Sequence, residues 1–166
     1  MTDTAGGWFE RRWAAWLRGH YRGGRGDAFA RYSSRAYAAL GRTGLTPRRW
    51  VTLEMPGRRT GRTTRFPLAM ADVDGRWYLV SMLGECAWVW NVRAADGHAV
   101  LHHGRRRAVR LVEVPVEERA AVIRRFVQVA PGGRPHVRVD RREPVAAFEA
   151  VAADHPVFRV EPAAAG

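Results

Sequence analysis

Apolar residues recur at helical spacing in the first forty positions and at strand spacing after residue 50. Between residues 8 and 17, Phe9, Trp13, Trp16 and Leu17 fall at i, i+4, i+7 and i+8, with Arg11, Arg12 and Arg18 on the other side. That pattern predicts an N-terminal amphipathic helix. A Gly/Arg-rich break over 19–26 precedes a second predicted helix, 27–40, which Asp27 caps and whose inward positions are Phe29, Tyr32, Ala36 and Leu40. Strand patterns follow at 50–55, at 63–71 with Pro67 as an interruption, and at 76–82 after the turn Asp72-Val-Asp-Gly75. Residues 86–95 read as a short helix ended by Asp96-Gly97, and 98–103 and 105–114 as a strand pair around Gly104. Pro115 opens a predicted helix at 116–129, with Glu117 and Glu118 in its first turn. A last helix is predicted at 144–152 and a sixth strand at 156–160. Two helices, a meander and then mixed elements favour an α+β chain: a small barrel of about six mainly antiparallel strands with peripheral helices, not a doubly wound sheet. The division expected is 1–44 for the N-terminal helical segment and 45–166 for the barrel domain.

Length and composition narrow the class. A chain of 166 residues builds one core and is too short for two independent catalytic domains. Cys86 is the only cysteine, and no Cys/His group has metal-ligand spacing, so neither a disulfide framework nor a structural metal is expected. No stretch approaches a membrane span, and the N-terminus lacks a long apolar core, which points to a cytoplasmic protein. Twenty-eight basic against 16 acidic residues leave a net charge of +12, and every basic residue is arginine. Such a field attracts anions, and arginine forks match phosphate and carboxylate. Composition alone leaves nucleic acid, anionic lipid and a phosphorylated cofactor open. Nucleic acid is disfavoured because the aromatics sit on apolar faces rather than between arginines along an exposed strand. The N-terminal helix can pack on its own domain, on a second subunit in a homodimer, or peripherally on an anionic membrane.

Two stretches carry candidate chemistry. Residues 55–68 form a basic glycine turn between strands, in which Gly57 and Gly61 permit close approach and Arg58, Arg59 and Arg62 offer charge-assisted bonds to an anion. The turn's backbone amides are also expected to point at that anion. It is not a nucleotide P-loop, which needs a lysine and a following helix, and a solvated basic hairpin explains the same charges. In residues 80–96 a strand ends in a glycine turn and an aromatic helix begins. Ser81 and Asn91 can hydrogen-bond a flat heterocycle lying against Pro67 and Trp88, although Trp88 and Trp90 also suit a core.

The Gly-Arg-Arg-Thr-Gly turn, the Pro-Leu strand, the Asp-Gly hairpin, the Ser-x-x-Gly turn and the Trp-x-x-Asn-x-x-Ala helix, in this order, resemble the deazaflavin (F420)-dependent nitroreductase family. The likeness is strongest from about Trp50 to Val114. It implies a split β-barrel and a reductase that passes a hydride from reduced coenzyme F420 to a small organic acceptor of quinone, enone, nitro or imine type. By resemblance Arg58, Arg59, Thr60 and Gly61 hold the coenzyme's phosphate and acidic tail, and Phe66, Pro67, Ser81, Met82, Trp88 and Asn91 surround its ring. Arg62, Arg65 and Arg105 to Arg107 are the arginines expected along the tail.

The chain departs from the family pattern at Met82, where relatives often carry a basic residue, at Val89 in place of tyrosine, and at Thr64 in place of arginine. It also has no tyrosine after Tyr78, although relatives place tyrosines near the substrate in the C-terminal third. A proton donor must then come from elsewhere, and His136, in a Pro/Gly/Arg loop, is the candidate. Two alternatives stay open on these residues: a non-catalytic coenzyme-binding or ligand-binding barrel, and an FMN protein of the same barrel class.

Overall fold

The computed structural model describes residues 48–163; the two predicted N-terminal helices lie outside them. Six strands, β1 (Trp50–Pro56), β2 (Thr63–Val73), β3 (Arg76–Val80), β4 (His98–His103), β5 (Arg105–Glu113) and β6 (Val157–Pro162), close a barrel in the order β1-β2-β3-β6-β5-β4. Every neighbouring pair is antiparallel. Three helices, α1 (Ala87–Ala94), α2 (Arg119–Val129) and α3 (Val145–Glu149), join them, with short 3₁₀ segments at Val116–Glu118, Pro131–His136 and Ala152–Asp154. Among the described residues no helix is long and apolar enough to cross a membrane.

Strand alternation sorts the apolar residues into two cores. Val51, Leu53, Met55, Met70, Leu79, Ala99, Leu101, Val109, Leu111 and Phe158 point into the barrel, where Trp88, Val89 and Val92 of α1 join them. The opposite faces of β2 and β3 present Ala71 and Val80 to a second core with Ile123, Phe126 and Val127 of α2 and Phe148 of α3. One face of the β2–β3 hairpin therefore lines the barrel and the other carries a helical layer. Asp74 and Gly75 make the hairpin turn with φ of 49° and 74°, the left-handed pair that a two-residue turn of matching twist requires.

Most element ends differ from the sequence expectation by one or two residues, and a few differences alter the picture. The strand predicted at 76–82 stops at Val80: the Ser81 amide still donates to the Pro156 carbonyl (2.8 Å) in the β6 register, but Pro156 has no N–H to return, and pairing with β2 has already ended at Leu79. The helix predicted at 116–129 is a 3₁₀ turn followed by α2, and that predicted at 144–152 is α3 followed by a separate 3₁₀ turn. Pro67 does not interrupt its strand: β2 runs through it, paired with Thr52. The Met70 amide donates to the Arg49 carbonyl at 2.7 Å. In this register the backbone groups of Arg65, Pro67 and Ala69 therefore point away from β1. β3 pairs with β2 only from Met70 to Val73, so the missing proline N–H removes no ladder bond.

Candidate coenzyme site at the barrel seam

Within the closed barrel, the lapse in pairing between β2 and β3 leaves the first half of β2 without a ladder partner on that side. Continuing their register would set Leu68 opposite Ser81 and Pro67 opposite Met82, but the chain has already left the ladder. The result is a seam. The first half of β2 bounds it on one side, and the turn leading into α1 bounds it on the other. Backbone groups of Arg65, Pro67 and Ala69 are directed into it, and the basic turn stands at its end.

That turn is built by its own backbone. Gly57 N–H donates to the Arg62 carbonyl (2.8 Å), Gly61 N–H (2.8 Å) and Thr60 N–H (3.3 Å) donate to the Gly57 carbonyl, and Arg62 N–H donates to the Thr60 hydroxyl (3.3 Å). Gly61 has φ +65°, and a Cβ at Gly57 would stand 3.1 Å from the Thr64 methyl. The left-handed backbone at Gly61 favours glycine, and a side chain at Gly57 would crowd the Thr64 methyl and the Arg62 carbonyl. The fifth amide, Arg58 N–H, donates to the Asn91 carbonyl oxygen (3.2 Å), while the Asn91 amide donates to the Thr64 hydroxyl (3.3 Å) and that hydroxyl to the Met55 carbonyl (2.8 Å). The expectation that these amides face an anion is therefore corrected, since five of them serve the turn and α1. What the turn offers outward is side chains: Arg58, Arg59, Thr60 and Arg62 are all exposed and make no ion pair with a described carboxylate.

The remaining expected residues divide by face. Phe66 packs against the barrel core from inside, so strand alternation sends Pro67 to the outer side. Ser81 is buried, its hydroxyl donates to the Gly84 carbonyl, and the Cys86 sulfur lies 3.4 Å away. Met82 is half-buried against the helical layer. Trp88 is core, with its ring 5.4 Å from that of Phe158. Asn91, 5% exposed, is the joint between the turn and α1. His136 ends the 3₁₀ segment Pro131–His136, which is tied to the end of α2 by bonds from the Arg134 guanidinium to the Val127 and Gln128 carbonyls (2.8 and 3.1 Å). The Pro/Gly/Arg loop expected around it is thus a formed element.

Two features were missed in the sequence. Trp90 is 40% exposed, with the Arg93 and Arg58 guanidinium carbons 5.1 and 6.0 Å from its ring centroid. Its position was available from helical phase, because Trp88, Val89 and Val92 take the inner face of α1 and leave Trp90 and Arg93 outside. The second is Glu54, on the outer face of β1, where its carboxylate accepts from Arg65 (2.7 Å) and Arg106 (2.8 Å) and lies 3.4 Å from His102 Nε2. Burial alone would raise its pKa; the Arg65 hydrogen bond and the charges of Arg65, His102 and Arg106 overcome this and hold it below the ordinary value. With Gly104 and Arg105 these residues line an open cleft of about 260 Å³. Glu54 and Arg65 are cross-strand partners, but the approach of Arg106 depends on barrel closure through β4 and β5.

The arrangement suits a phosphorylated, polyanionic heterocyclic coenzyme: uncommitted guanidinium groups at the seam's end, backbone donors and acceptors along it, and a further arginine cleft on the outer face of the same hairpin. Comparison with known proteins bears on this. No curated protein matches the chain. A solved protein of unknown function from Agrobacterium tumefaciens superposes with a TM-score of 0.51 at 14% identity, over 76% of this chain and 53% of that one, and shares the fold. A structure described as an F420-H2 dependent reductase, FDR-A, has 23% identity over 69% of this chain and 95% of its own, with a TM-score of 0.46. Another, described as a domain-swapped dimer, has 20% identity over 80% and 97%, with a TM-score of 0.48. The family model described as F420H(2)-dependent quinone reductase matches residues 29–150, well over half the chain and across the whole β1–β2 turn and α1. The chain therefore belongs to the F420H2-dependent quinone reductase family, as an oxidoreductase whose coenzyme is F420.

Proposed function

We propose that this reductase holds the phosphate of F420 on Arg58, Arg59 and Thr60 of the basic turn, seats the deazaflavin ring in the seam, and reduces a quinone-type acceptor. The observation that carries this reading is the position of the turn: it is locked by Asn91 at the end of the stretch of β2 that β3 leaves unpaired. Pro67 and Met82 supply apolar surface on the two sides of the seam, and Ser81 shapes its rim. Gly61 gives the turn its conformation. Phe66, Trp88 and Asn91 act from behind, fixing the hairpin and the helix between which the ring lies. When bound, the coenzyme supplies a hydride at a carbon of its ring. The chain's own part is to orient the ring, exclude water with the barrel core beneath it, and bring the acceptor to the open side.

The tail's carboxylates extend along the outer face of the hairpin to Arg65, Arg105 and Arg106, where they compete with Glu54 for the forks of Arg65 and Arg106. Protonation of the reduced acceptor falls to His136, on the element fixed to α2, because no tyrosine follows Tyr78. Single-turnover oxidation of the reduced coenzyme, followed spectrally against quinones, enones, nitroarenes and imines, tests the acceptor assignment. Fastest turnover with quinones is expected, and a panel that oxidises it no faster than buffer removes the proposed activity. The donor assignment is tested by His136→Ala between about pH 5 and 9, the range around an imidazole's ordinary titration; an unchanged rate and profile would exclude it.

A further inference from the structure

We propose that Trp90 and Arg93 are positioning residues that preset Arg58 for the coenzyme's anionic end, an inference that rests on the reading of the basic turn given above. Trp90 is one of the few large apolar side chains exposed among the described residues. It is nevertheless held in place. Its indole N–H donates to the Glu85 carbonyl at 3.1 Å, and the Arg93 guanidinium lies 5.1 Å from its ring centroid. Arg93 is in turn fixed at three points: Nε and Nη2 donate to the two oxygens of Glu113 (2.9 and 2.8 Å), and Nη1 donates to Glu85 (2.8 Å). Glu113 also accepts from Arg119 at 3.2 Å. Arg119 is itself buried and donates to the Val114 carbonyl at 2.8 Å and the Ala152 carbonyl at 3.4 Å. A chain of charge-assisted contacts thus runs from the first residue of α2 through Glu113 and Arg93 to the indole.

At the far end of this chain stands Arg58, 6.0 Å from the same ring. An arginine on an open turn spreads over many rotamers and must lose that freedom when it binds an anion. A quadrupole held rigidly beside it narrows the distribution beforehand, while its N–H groups stay available for the phosphate. Asn91 fixes the backbone of Arg58 and Trp90 restrains its side chain; both come from α1, on adjacent positions. The phosphate site is therefore set by the helix as much as by the turn.

The test is a double-mutant cycle read by fluorescence titration of F420 at low salt, using the parent, W90L, R58A, W90L/R58A and W90F. W90L is expected to weaken binding about fivefold, the size of an exposed cation–π contact and the ordering it saves. W90F, which keeps a ring, should retain most of the affinity, and R93Q, which loosens the indole, should lose about as much as W90L. In the R58A background, W90L should have no further effect. Equal losses from W90L in both backgrounds would mean that Trp90 meets the coenzyme directly and would overturn the positioning role. Parent-like binding by W90L, with R58A weakened, would overturn it while leaving the site reading intact. Unchanged binding by R58A itself would sink the site reading and this proposal together. Thermal melts of each variant confirm folding; R93Q is expected to melt lower because it also releases Glu113, so W90L and W90F, which break no ion pair, are the variants that separate positioning from general stability.

Discussion

Arg125 donates to both oxygens of Asp72 at 3.0 Å and pins α2 to the β2–β3 hairpin, whereas Arg58, Arg59 and Arg62 stand exposed on a turn with no described carboxylate in reach. The two regions use the same side chain for different ends. Around Asp72 and Glu113, arginine is mortar: Arg49 and Arg125 meet at one carboxylate, Arg93 and Arg119 at the other. Hydrogen bonding from Arg125 holds Asp72 below the ordinary carboxylate range, and hydrogen bonding from Arg93 does the same for Glu113. At the basic turn the folding problem is solved by glycines and backbone bonds, so the guanidinium groups remain for a ligand. The Glu54 cleft lies between these cases, with two of its arginines paired but still exposed. A net charge of +12 thus conceals a division between arginines spent on the fold and arginines left exposed without a carboxylate partner, which the proposed site would use for the coenzyme.

The sharpest way to break this comparison is to remove a mortar arginine. Arg119→Ala should cost about 3 kcal/mol in urea unfolding, since it strips buried carbonyls of a donor and leaves Glu113 with one fewer cation. A loss below about 0.5 kcal/mol, the size typical of surface changes, would show that the network is incidental. At the turn, the double substitution Arg58→Ala, Arg59→Ala should leave the unfolding midpoint within about 0.5 kcal/mol of the parent. It should weaken F420 binding by about two orders of magnitude at low salt, and by less as salt rises. Parent-like affinity would make the turn a solvated hairpin and nothing more.

Acid separates the same regions. Asp72, Glu113 and Glu54 all have folded pKa values depressed from ordinary values of 3.8, 4.5 and 4.5. Their contribution to stability is therefore complete above those values and is lost as pH falls through the depressed ones. Stability should decline below about pH 4.5 in the parent, and more shallowly in Glu113→Gln, which has already given up its share. An identical acid limb in both would refute the role of that carboxylate. The smallest effect is expected in the cleft. Glu54→Gln frees Arg65 and Arg106 from their counter-ion and should tighten F420 about two- to threefold, with a steeper salt dependence. Unchanged or weaker binding would place the tail elsewhere.

Much of the barrel was legible because strand patterning is local. Alternation located all six strands, β4 to the residue, and Asp74-Gly75 announced its hairpin through the conformations that only such a pair adopts readily. The basic turn and the helix after it were legible for the same reason, as glycines and arginines at fixed offsets. Pro67 misled because a proline's cost depends on whether a neighbour waits for its N–H, and β3 stops short of it. Trp88 and Trp90 were not separated because each suits a helix core when weighed alone; only their phase relative to Val89 and Val92 sets one inside and the other outside.

The sequence by itself determined the strands, the glycine turn, the excess of arginine and the family resemblance, since each depends on residues close together in the chain. Tertiary structure alone decided which arginines are free. Carboxylate partners lie 53 residues away for Arg125 and Asp72, 20 for Arg93 and Glu113, and 52 for Arg106 and Glu54. Barrel closure and helix docking choose them, and no local pattern encodes such distances. The seam likewise exists only because two strands of unequal length are paired from one end.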